Sequence, residues 1–127
     1  MAGFSDFLET KVLEHVFGGS AYTAPTTLHI ALYTAAPTDS GGGTEVNGGA
    51  YARQTATFNV SGNTATNAAN VEYATATANY GTVVAMGIFD AATSGNLLAY
   101  GTLTTSKSVS TGDVFRFNAS AIDITLT

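Results

Sequence analysis

Two histidines, nine carboxylates and a run of three glycines are the first places to look for chemistry in this 127-residue chain. His15 falls near the end of a predicted helix and His29 in a predicted strand beside Tyr33. Neither has an HExxH partner or a carboxylate at ligand spacing, so both read as structural. Serines are plentiful, but no GxSxG elbow occurs. Asp39 and Glu45 flank glycines without the alternating Asp/Asn ligands of a calcium loop. Gly41, Gly42 and Gly43 are not followed by Lys-Ser/Thr or a helix start, which excludes a phosphate-binding loop. Asp90 and Asp113 read as turn residues, and nothing in the residue order promotes paired-carboxylate hydrolysis. With no cysteine, disulfides, thiol catalysis and zinc-thiolate sites drop out together. The expectation is a chain without catalytic residues, metal, cofactor or small-molecule substrate.

Charge narrows the partners. Only 10% of residues are charged, four are Lys or Arg, and the formal net charge is −5. That surface lacks the basic footprint that neutralises phosphates, so neither nucleic acid nor an anionic membrane is an expected partner. A polar but weakly charged exterior suits packing against other protein, and it suits a small acidic globular protein equally well. Asp6, Glu9, Lys11 and Glu14 interrupt every candidate signal-peptide core, and no apolar run approaches the ~20 residues of a membrane span, so a soluble product is expected. At 45% hydrophobic, the chain is long enough for one domain with a core that needs no staples.

The elements that must position these residues centre on Thr82 to Gly101. Alternation puts Val83, Ala85, Gly87 and Phe89 on one side and Val84, Met86 and Ile88 on the other, so neither side is wet. Such a strand lies inside a sheet and needs cover from two directions: an opposing sheet on one, and a helix, loop or neighbouring subunit on the other. Asp90 can bond backbone N–H groups ahead of it, Gly95 and Asn96 tolerate positive φ, and Leu97 to Tyr100 return as the second arm of a hairpin.

Upstream, Ser5 to Phe17 reads as the only helix, capped by Ser5 and ended by Gly18-Gly19. Phe4, Leu8, Val12 and Val16 form one stripe, Leu13 and Phe17 a second turned by about 100°, and Phe7 adds to the apolar count. Two stripes fit contact with two bodies, or burial in a groove of the helix's own domain. Thr27 to Thr34 is a strand with Leu28, Ile30 and Leu32 on its core face. Residues 35–49 read as a long exposed loop, either a contact loop or a tolerated insertion. Residues 50–60 resume as one strand, with Ala52, Ala56, Phe58 and Val60 opposite Tyr51, Arg53, Thr55 and Thr57. After the turn at residues 61–63, only Val71 and Tyr73 give a strong strand signal. Residues 103–109 are weakly patterned. Phe115 and Phe117 share one face of a short strand, and Ile122, Ile124 and Leu126 alternate in a last one. Short strands between Gly, Asn and Ser turns predict a mainly β protein, an antiparallel, jelly-roll-like β-sandwich (residues 20–127) preceded by an N-terminal helical arm (residues 1–19).

Three segments carry a resemblance: FSDFLETKVLEHVFGGSAYTAPTTLHIALYTAAP, NGGAYARQTATFN and YGTVVAMGIFDAATSGNLLAYGTLTTSKSVSTGD. In that order, over nearly the whole chain, they resemble a family of small virion proteins of tailed bacteriophages. Its members are often described as tail fibre proteins, and some resemble the cement or decoration proteins that clasp the outside of a capsid. GIFDAATSGNLLAYG is the most specific part, and the middle after Val60 is shorter than in the longer members. The resemblance implies a β-sandwich structural protein of the virion without enzymatic activity, and leaves head and tail open.

The expectation taken forward is a homotrimeric cement protein on the outer capsid surface, bound to the major capsid protein at three-fold positions, where a closed ring repeats one contact. A tail fibre or baseplate component for host attachment is the alternative. Phe4, Phe7, Leu8, Val12, Leu13 and Phe17 are the expected apolar contacts, with Tyr22, Tyr33 and Tyr51 as interface aromatics.

Overall fold

The computed structural model describes residues 2–127 and is mainly β, with antiparallel sheets and one helix near the N-terminus. The doubly apolar stretch becomes β8 (Gly81–Phe89), and it is central as its composition requires: it lies between β2 (Leu28–Ala35) and β9 (Leu97–Val109). β1 (Gly3–Phe4) extends the sheet beyond β9, while β3 (Thr44–Glu45) and β4 (Gln54–Ala56) pair with β2. Two small ladders complete the body. One joins β5 (Phe58–Ser61), β6 (Thr64–Asn67) and β11 (Asp123–Thr125), and the other pairs β7 (Val71–Glu72) with β10 (Arg116–Phe117).

Ile30, Leu32, Met86 and Ile88 of the large sheet meet Val71, Tyr73, Phe115, Phe117 and Ile122 from the small ladders in the main core. The opposite face carries Ala31, Tyr33, Ala85, Phe89 and Leu97. This second face looks into a cleft flanked by the first turn of α1 (Asp6–Val16) and residues 39–43. β8 is therefore covered on one side by the small ladders and bordered on the other by this cleft.

Strict alternation fails at one point in β8. Val83 packs into the main core with Met86 and Ile88, and Val84 packs on the other face with Ala85 and Phe89. The cause lies in the partner strand: Val83 pairs with Lys107 but Ala85 pairs with Thr102, so residues 103–106 of β9 stand opposite Val84 alone. A bulge of that kind resets which side faces inward. At Gly87 the sheet closes tightly, since a Cβ there would lie 2.9 Å from Tyr33 Cε1 and 3.0 Å from Leu97 Cδ1.

Three further expectations change. Residues 50–60 are two strands in different sheets, because the chain crosses between layers around Thr57 and leaves Val60 75% exposed. Residues 35–49 are not a free loop: Thr44–Glu45 pairs with β2, Pro37 and Val46 are buried, and Gly41, Gly42 and Gly43 turn the chain with φ between 75° and 102°. At Gly43 a Cβ would sit 2.7 Å from the Ala35 carbonyl oxygen, so the turn needs glycine. In the 90–96 turn, positive φ falls on Ser94 and Gly95 and not on Asn96.

Ser5 caps α1 as expected and does more. Its Oγ accepts from Leu8 N–H and donates to the Leu97 carbonyl, and its N–H donates to the Leu98 carbonyl. The helix start is thereby fastened to one end of β9. β6 has little hydrophobic signal and is held instead by Asn67, buried at 1% exposure. Asn67 donates to the carbonyls of Ala69 and Asn118 and accepts from Ile122 N–H, satisfying its amide without water.

Candidate functional site

The residue types that could do chemistry turn out to be engaged in holding the chain together. His15 Nδ1 accepts from Tyr22 N–H at 3.0 Å, tying the helix end to the segment after it. Asp90 accepts from the Asn96 N–H and side-chain amide, closing the hairpin turn. Asp113 accepts from Ser110 N–H. Asp39 accepts from the Tyr100 hydroxyl, and its carbonyl takes Asp6 N–H. Among the described residues no group of three or more His, Asp or Glu side chains could hold a metal ion.

The most heavily bonded charge is Arg53. Its Nε and Nη2 form a fork on the two Glu45 oxygens, both at 2.9 Å, and Nη1 donates to the carbonyls of Ala91 (3.0 Å) and Ser94 (2.8 Å). The guanidinium lies 3.7 Å over the Phe89 ring, and its side chain is 7% exposed. Tyr51 donates its hydroxyl to Glu45 at 2.6 Å, accepts from Leu32 N–H, and stacks its ring on Tyr73. Burial pushes the Glu45 carboxyl up, but the bonds from Arg53 and Tyr51 outweigh it and hold the pKa below the usual value. Burial, then Glu45, pushes the Tyr51 hydroxyl far up, and the same two causes push Tyr33 up to about 12. A carboxylate held ionised between two fixed donors is a poor proton acceptor. The cluster borders a cleft of about 620 Å³, yet its geometry is that of a lock joining the 45–53 segment to the 90–96 turn. Sequence reasoning did not find the lock, because only the fold brings Glu45, Arg53 and Ala91 together.

The expected contact residues divide. Phe4, Phe7, Leu8 and Val12 are half-buried, and Phe7 meets Tyr22, also half-buried, edge to face with centroids 6.3 Å apart. Leu13 and Phe17 stand in solvent at 59% and 81% exposure, and Val16 joins them at 60%. No residue of α1 is fully buried. Tyr33 is buried at 4% exposure, and Tyr51 packs on Tyr73 and Tyr80, so the fold uses both rings internally and neither lies in the exposed patch. Tyr51 finds its partners at Glu45, Leu32 and the aromatic rings, while Tyr33 packs among Ala31, Ala85, Phe89 and Leu97.

These features define a class: a β-sandwich whose polar groups serve its own architecture, with three exposed apolar side chains clustered at one helix end. The chain belongs to the family described as podophage GP4 fiber I protein gp80, whose model matches residues 3–125. The family is one of phage fibre proteins, so the chain is a phage virion protein, consistent with a structural role. No curated protein sequence matches it.

Proposed function

We propose that this protein is a non-enzymatic structural subunit of a phage fibre, held in the virion by the apolar end of α1. The observation that carries this reading is the patch of Leu13, Val16 and Phe17, three exposed apolar side chains gathered on one helix end while Val60, Val114 and Leu126 are exposed singly elsewhere, in a family of fibre proteins. Covering those three side chains in an interface is worth roughly 1–2 kcal/mol each, enough to anchor a subunit that has many copies of the contact. A helix that buries no residue completely contributes little to its own domain's core, which leaves this face free for a partner.

A second reading places the same surface on the major capsid protein, as a homotrimeric cement protein on the outside of the head. It is supported by a weakly charged exterior suited to broad packing. Immunogold labelling of virions separates the two: signal at the tail supports the fibre, and signal over the head supports cement. Virions assembled with Phe17→Ser should lose the protein under either placement. Full retention of Phe17→Ser refutes docking through α1.

A further inference from the structure

Resting on that docking role for α1, we propose that the occupant facing its apolar end is a second copy of this chain, whose groove between β9 and β10 receives Phe17 and its neighbours. The groove has a volume of about 380 Å³, with Phe115 and Phe117 as its floor and Leu103 and Val114 at its sides. It exists because β9 and β10 follow one another across the 110–113 turn yet pair with different sheets, β9 with β8 and β10 with β7, so they splay instead of closing on each other. Val114 is left 50% exposed at its lip. A pocket in this size range holds an aromatic ring with room for flanking aliphatic groups.

Charge argues for the match. Lys107 and Arg116 both line the groove, half of the four basic residues in an acidic chain. Lys107 has no salt bridge among the described residues, and Arg116 has only an exposed, 3.6 Å pairing with Glu72. The one acid in the lining, Asp113, is turned to Ser110 N–H. On the other side, α1 carries Asp6, Glu9 and Glu14 against Lys11, which makes an exposed 3.5 Å pair with Glu14, and His15 in the last turn. Glu9 and Glu14 stand four and three residues before Leu13 and Phe17, so they border the apolar patch, and the helix C-terminus adds its own partial negative charge.

Position separates the two surfaces. α1 is fastened to the Leu97–Leu98 end of β9, whereas the groove runs along the Leu103–Val109 end, roughly 20–30 Å further along the strand. Knob and groove are therefore different surfaces of one molecule, and a head-to-tail contact between two copies leaves one knob and one groove free at its ends. Such contacts close into a ring or continue as a filament.

The test is complementation, read by sedimentation velocity on the full chain. Phe17→Arg removes the knob and keeps the groove; Val114→Arg removes the groove and keeps the knob. Both positions are at least half exposed, and circular dichroism checks that both variants fold. Wild type should associate, each variant alone should be monomeric, and an equimolar mixture should form a 1:1 dimer and nothing larger, because both free ends of that dimer are blocked. Lys107→Glu in wild type should weaken association up to about 5-fold, with the effect fading in high salt. A monomeric wild type, a mixture that stays monomeric, or self-association of either variant as strong as wild type overturns the proposal. If the mixture fails while Phe17→Ser still removes the protein from virions, α1 docks on another virion protein, and only this partner falls.

Discussion

Replacing Arg53 by Met tests whether the Glu45–Arg53–Tyr51 cluster is the lock described above. The substitution keeps the length and most of the apolar contact with Phe89 but removes four hydrogen bonds, two to Glu45 and one each to the carbonyls of Ala91 and Ser94. Glu45 is then a largely covered carboxylate with Tyr51 as its remaining side-chain donor. The Glu45 side chain is 28% exposed, so solvent offsets part of the charge left uncompensated and the cost falls below that of a fully buried pair, at about 2–3 kcal/mol. For a domain of this size that lowers Tm by roughly 6–15 °C. Arg53→Met/Glu45→Gln removes both charges and should recover at least about 1 kcal/mol relative to Arg53→Met.

The pH dependence follows from the direction of the Glu45 shift. Its pKa is lowered in the folded state, so the pair's contribution is complete above the unfolded value of about 4.3 and declines as pH falls through the folded one. In Arg53→Met the opposing effect of burial gains weight, and acidification penalises that variant less. Urea unfolding followed by circular dichroism should therefore show the gap between wild type and Arg53→Met narrowing from neutral pH to about pH 4. A loss below about 1 kcal/mol at neutral pH, or a double variant no more stable than the single, refutes the lock.

Two other substitutions probe the packing. Gly87→Ala places a methyl 2.9 Å from Tyr33 Cε1 and 3.0 Å from Leu97 Cδ1, and should cost about 1–3 kcal/mol by urea unfolding even though Ala favours the strand no less than Gly; a neutral result means the two rows can part freely. Tyr73→Phe and Tyr80→Phe delete the same atom with different expected results. Tyr73 donates to the Ile30 carbonyl at 2.7 Å and should lose about 1–2 kcal/mol, while the Tyr80 hydroxyl is buried without a partner among the described residues and its removal should leave stability unchanged or slightly raised. Equal losses in both refute that contrast.

What was legible in the sequence was whatever depends on neighbours in the chain. Ser5 as a cap, the doubly apolar β8, the Asp90 turn and the Phe115/Phe117 face all came from local spacing, and each is in place. The failures share a long-range cause. Val83 changes face because β9, twenty residues on, carries extra residues opposite Val84. β6 is ordered by Asn67 reaching Asn118 and Ile122, more than fifty residues away, while its own Thr and Ala side chains advertise nothing. Tyr51 was legible as an amphipathic ring but not as one anchored inside, since a tyrosine hydroxyl is equally satisfied by water or by a distant Glu45 or Leu32.

The same long-range pairing that defeats simple alternation also produces the surfaces that carry the proposed contacts. β9 is committed to β8 in one sheet while the chain just beyond it is committed to β7 in another, so the 110–113 turn cannot close a hairpin and a groove stays open. At the other end of β9, fastening Ser5 to Leu97 and Leu98 fixes where α1 begins, and the helix projects its last turn beyond what the sheet can cover. Groove and knob are thus consequences of how one strand is shared between partners. A chain that closed both would gain a few kcal/mol of burial as a monomer and lose its means of joining a neighbour.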